Sequence, residues 1–231
     1  MSLRVIHSTL SEVSDLCCSK SPTSNDKACS LQLQQTQTIL AHLNNHMARK
    51  GYIIHDQQAV YYMTFTVVGW IDIFSRQAYR DVFIESLKYC QQNKGLHLHA
   101  YVIMTNHVHL VASLDEGHSV SDFVRDCKKF TAKKIINAVE NDVNESRRDL
   151  ILHEFKYYAS RHTRNEVHQL WQHDNHFIEL SSPTFTQQKI EYIHQNPVKA
   201  GIVYKAEDYV YSSASNYAEI DQIIDVDCLY L

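Results

Sequence analysis

The sequence predicts an α+β fold of the ferredoxin-like (RRM-like) type, an antiparallel sheet with helices on one face and a C-terminal helix bearing a tyrosine. Three observations lead there. An aromatic and β-branched run, AVYYMTFTVV (59–68), reads as a strand, and a long amphipathic stretch follows it. Two short apolar runs are then joined by only Thr105-Asn106, as in a tight hairpin. A second amphipathic stretch completes β-α-β-β-α, most of a ferredoxin-like unit.

Each element has its own signal. In the first helix Tyr79, Val82, Phe83, Ser86, Leu87 and Cys90 recur at helical spacing, and Asn93-Lys94-Gly95 ends it. The hairpin strands are LHLHAYVIM (96–104) and HVHLVAS (107–113). Ser119 opens the second helix with Asp122 three residues on, as in a capping box, and its stripe is Val120, Phe123, Cys127 and Phe130. A polar helical stretch at 145–162 reads as an insertion, EVHQLWQ (166–172) as the fourth strand, and TFTQQKIEYIHQ (184–195) as a helix stopped by Asn196-Pro197.

With 231 residues, 44% apolar and 21% charged, the chain can build one medium domain with a sizeable core. The expected division is a poorly structured segment over 1–46, a catalytic domain over 47–217 and an acidic tail over 218–231. A second reading takes Met47 as the natural start. The longest apolar stretch, Val60–Ile71, is too short to span a bilayer and no basic-then-apolar leader opens the chain, so a cytoplasmic protein without membrane contact is expected. Six cysteines without C-x-x-C spacing read as buried or idle thiols. The net charge of −4 excludes a protein coated in basic charge but leaves room for a local basic face.

Among 15 histidines, His107 and His109 stand out because a strand sends both to one face, where two neutral imidazoles suit a borderline divalent metal. An ordinary strand pair is the alternative, since His97-Leu98-His99 has the same pattern. A two-residue hairpin loop sets Val102 opposite His109 and sends His97 and His99 to the other face. On the late helix Tyr192 and Asn196 are i and i+4, offering a phenol and a carboxamide oxygen on one side. The alternative there is packing of Tyr192 with Ile190 and Ile193 and capping by Asn196. Arg125, Lys128, Lys129 and Lys133 make the second helix basic, which fits either DNA contacts or a solvated outer face. P-loop, G-x-S-x-G and paired-cysteine deaminase motifs are absent, and Tyr157 stands where a zincin needs its second histidine.

Taken together, AYVIMTNHVHLV (100–111), SDFVRDCKKFTAKKI (121–135), LWQHDNHFIEL (170–180), YIHQNPVKAGIV (192–203) and YSSASNY (211–217) resemble the HUH single-tyrosine transposases of bacterial insertion sequences and the REP-associated tyrosine transposases. The resemblance covers roughly 50–217, with Thr105 where the family often has proline or serine. It implies a Mg²⁺ or Mn²⁺ ion on His107, His109 and Asn196, and Tyr192 as nucleophile, leaving a 5′-phosphotyrosine and a free 3′-OH. It further implies single-stranded or hairpin DNA as partner. The alternatives are a non-catalytic nucleic-acid-binding module and a zinc hydrolase, the latter lacking a carboxylate base at motif spacing. Whether Tyr192 serves its own histidine pair or that of a second copy in a homodimer stays open.

Overall fold

The computed structural model describes residues 54, 56–161, 167–174, 176–220 and 222–230. The expectation for 1–46 lies outside them. The strands are β1 (Tyr61–Thr66), β2 (Leu96–Ile103), β3 (His107–Leu114) and β4 (His176–Glu179); the helices are α1 (Gln77–Asn93), α2 (Val120–Asn141), α3 (Arg148–Ser160), α4 (Pro183–Lys199) and the short α5 (Ala214–Tyr217). The sheet order is β2-β3-β1-β4, antiparallel throughout, which is the ferredoxin-like arrangement.

Alternation assigns the two sheet faces. Met63 and Phe65 of β1 and Val108 and Leu110 of β3 point to the face covered by α1 and α2, where Phe65, Phe83, Phe74 and Trp171 form an aromatic cluster. Tyr62, Thr64, His107 and His109 point to the other face, where α4 lies. Ser119 caps α2 by accepting from the Asp122 N–H at 3.4 Å, as the capping box predicts. Phe130 is exposed; Val124, Thr131, Ile135 and Val139 continue the buried stripe instead.

Three elements differ from expectation. The fourth strand is His176–Glu179, not 166–172. Leu170 and Trp171 are both buried, and Trp171 Nε1 donates to Thr131 Oγ1 at 3.0 Å, which ties the segment to α2. That segment keeps only an isolated bridge between Val67 and Trp171. Helix α3 is the expected insertion between α2 and β4 but is less polar than its sequence suggests, because Ile151, Phe155 and Ala159 at i, i+4 and i+8 bury in the domain. Helix α4 runs through Pro197 to Lys199. The missing proline N–H falls in the last turn, where the N–H groups of Ala200, Gly201 and Ile202 return to the carbonyls of Asn196, Val198 and Pro197; Gly201, at φ 69°, ends it.

The outer edge of β2 is covered by the chain's own end. Ile103 N–H donates to Tyr211 O, Ser213 N–H to Tyr101 O and Asp227 N–H to Leu98 O, so 222–230 pack on the sheet. Among the described residues no helix is long and apolar enough to cross a membrane.

A candidate metal and tyrosine site

The hairpin turn sets the site. Val102 lies opposite His109, as a two-residue loop requires. The expected exclusion of His97 and His99 by face is overturned, however. A bulge between Leu98 and Ala100 shifts the register, so His97 pairs with Ser113 and His99 Nε2 meets Ser113 Oγ at 2.9 Å, on the face of His109. Distance separates them instead, since Ser113 is four residues from His109, roughly 14 Å along a strand. His97 is also occupied, its ring nitrogens 2.8 Å from Asp115 Oδ1 and 3.0 Å from Asp227 Oδ2, which raises its pKa.

His107 and His109 lie with ring centroids 4.8 Å apart. Asn106 Oδ1 is 2.7 Å from His107 Nδ1 and, as a carboxamide oxygen, accepts its proton, leaving the Nε2 lone pair outward. His109 Nδ1 lies 2.8 Å from Tyr62 Oη and 2.9 Å from Thr64 Oγ1, hydroxyls that can accept a proton there. His109 Nε2 is buried without a hydrogen-bond partner. A buried nitrogen with its opposite edge anchored suits a metal ligand, because outer hydrogen bonds fix the tautomer and the ring. Burial lowers the pKa of His107; burial, with the charges of His107 and Lys189, lowers that of His109 to about 3, so both stay neutral with lone pairs available. Among the described residues no three His, Cys, Asp or Glu cluster, so an ion here needs neutral or substrate ligands beyond the two imidazoles.

Helix α4 brings Tyr192 to the pair. Its ring centroid is 5.6 Å from that of His109 and 6.4 Å from that of Tyr62, and the residue is 41% exposed. Asn196 sits one turn on, its Nδ2 donating to Tyr192 O at 2.7 Å, which leaves the lone pairs of Oδ1 as what its side chain can offer an ion. Ile190 and Ile193 bury while Tyr192 does not, so the helix splits its apolar and polar faces between them. Tyr62 is a second phenol here, but it is 6% exposed and burial pushes its pKa up to about 12.

The basic helix lies elsewhere. Lys128 Nζ is over the Phe65 ring, on the sheet face opposite Tyr192. It donates to Gln172 O at 3.0 Å and burial lowers its pKa to about 8, so this lysine is built into the domain. Arg125 pairs with Asp122 and Asp126, while Lys129 and Lys133 are exposed along a groove of about 680 Å³ that also meets Trp171 and Phe177.

Sequence reasoning missed Tyr62 and Thr64, which became visible only with the β1–β3 register, and Asn106 as the anchor of His107. It also missed Lys189 and Lys199, whose ammonium groups lie 5.8 Å and 5.6 Å from the Tyr192 ring centre. Their helical offsets from Tyr192, three and seven residues, were the available signal.

Comparison with known proteins gives the family. The model of the IS200-like transposase family matches residues 58–173, which take in the histidine strand. The solved structure of a REP-associated tyrosine transposase bound to a REP hairpin overlaps 79% of this chain and 97% of its own, at 15% identity and a TM-score of 0.50. A putative transposase from Deinococcus radiodurans R1 overlaps 63% and 94%, at 20% identity and a TM-score of 0.36. No curated protein matches the chain. The first overlap is one of fold, and the family match extends over half the sequence; the chain belongs to the IS200-like transposases.

Proposed function

We propose that this transposase nicks and rejoins single-stranded DNA through a 5′-phosphotyrosine on Tyr192, in the cytoplasm and at hairpin-containing sites. The observation that carries the reading is the meeting, on one sheet face, of two neutral imidazoles anchored through Nδ1, that of His109 with its buried Nε2 unpartnered, and a half-exposed tyrosine whose ring centroid is 5.6 Å from that of His109. A Mg²⁺ or Mn²⁺ ion held by His107, His109 and Asn196 supplies polarisation and charge neutralisation of the scissile phosphate when bound. Tyr192 Oη gives up its proton and bonds to phosphorus; the bond from phosphorus to O3′ breaks, and O3′ takes a proton to become a free 3′-OH. Rejoining runs the step backwards, with a 3′-OH displacing the phenol, so no ATP is consumed. Lys189 and Lys199 flank the ring and put positive charge beside the place where the scissile phosphate would lie. Tyr192 reaches the pair of its own chain, so the chemistry needs no second copy, although a homodimer is compatible with it. The hairpin-bound relative supports hairpin DNA as the partner. The DNA contacts are assigned to Arg125, Lys129 and Lys133, with Lys128 holding the loop beneath them.

The test incubates the full chain with labelled hairpin oligonucleotides bearing single-stranded flanks and Mn²⁺, and looks for a covalent adduct on a denaturing gel. The adduct should vanish with chelator and in His107→Ala, and persist in His97→Ala. The reverse ranking would move the site off this strand. DNA binding with no adduct in any metal would favour a non-catalytic module.

A further inference from the structure

We propose that Trp70 is a base-stacking platform for single-stranded DNA beside the histidine pair, an inference that rests on the reading of the site above. Trp70 is 63% exposed and carries φ 56°, a left-handed backbone that a bulky L-residue adopts only under strain. Glycine would relieve that strain, and so large an exposed ring adds little to the packed core. A strained, exposed tryptophan therefore points to something outside the fold that uses it.

Its surroundings say what. The indole centroid is 6.3 Å from that of His107, with the rings at 71°. Asn106 ties both together: its Oδ1 holds His107 Nδ1, and its Nδ2 donates to Trp70 O at 3.3 Å. The turn is fixed from behind by Tyr158, since a Cβ on Gly69 would come within 2.9 Å of its ring. Tyr158 also supports the half-exposed Tyr157 edge to face at 5.5 Å, and the Arg161 guanidinium lies 5.5 Å over the Tyr157 ring. Aromatic faces and a cation thus lead away from the histidines along α3. That combination suits a single strand, because every base has a π-face to stack and a phosphate to neutralise. Duplex DNA keeps its bases stacked on each other and offers no such face.

The chain's tryptophan content makes the test specific. It has only Trp70 and Trp171, and Trp171 is buried. A fluorescein-labelled single-stranded oligonucleotide of mixed sequence, titrated in Mg²⁺, should quench the indole emission of the full chain as its anisotropy rises. Trp70→Phe should bind with no quenching, and Trp70→Gly should bind about 5- to 150-fold more weakly with an equal or higher Tm. Unchanged emission on binding, or a Trp70→Gly variant that binds as tightly as the parent, overturns the proposal. So does an emission change that follows protein concentration instead of oligonucleotide, which would assign the ring to self-association. If a Tyr192 adduct forms while emission is unmoved, this proposal fails and the nuclease reading stands; if no oligonucleotide binds at all, both fail.

Discussion

His109 is oriented by hydroxyls, Tyr62 Oη and Thr64 Oγ1, where a carboxylate would add charge beside any ion the pair holds. Loss of an outer hydrogen bond to a ligating histidine costs 10- to 100-fold in metal affinity, and Thr64 remains when Tyr62 is changed. Tyr62→Phe should therefore weaken Mn²⁺ binding by about tenfold with little loss of Tm, since the ring stays in place. Unchanged affinity in a calorimetric titration would mean that the phenol merely fills space. The histidine pair was legible because a period of two needs no partner strand. Its supports were not, because β1 and β3 are separated by a whole helix and a hairpin strand, and their register is a tertiary property. The sheet parity of His97 failed for a similar reason: nothing in LHLHA marks the bulge that turns it back.

Helices α1 and α2 and the β2–β3 hairpin could be read from the sequence because period and caps agree locally. Helix α3 reads as polar because charged residues surround its apolar ones, yet Ile151, Phe155 and Ala159 bury, and Leu152 and Tyr158 pack beside them. Phe155 is fully buried, so Phe155→Ala should destabilise the domain by about 3–5 kcal/mol in urea unfolding. A loss below about 1 kcal/mol would mean that the helix contributes little to the core. Strand β4 escaped because it is four residues long and follows a loop whose Leu170 and Trp171 imitate a strand in composition but make only an isolated bridge. Asn196 belongs to the last turns of α4 rather than to its end, and this keeps it in helical register with Tyr192.

Across the described domain the sheet separates the histidines and Tyr192 on one face from the basic stripe of α2 on the other. If Lys129 and Lys133 contact phosphates, Lys129→Ala with Lys133→Ala should lower the slope of log K against log salt by about 0.7 per lost contact on a single strand. Adduct formation at saturating DNA should be unaffected, because the sheet lies between; an unchanged slope would place the DNA path elsewhere. The central claim, however, is that Tyr192 carries the chemistry. Tyr192→Phe removes one oxygen from a half-exposed ring, so folding and DNA affinity should hardly change. The most direct measurement is the covalent 5′ adduct with a labelled hairpin oligonucleotide in Mn²⁺, parent beside Tyr192→Phe. The parent should give an adduct and a free 3′-OH and the variant neither; an adduct that survives the substitution would assign the chemistry to another residue.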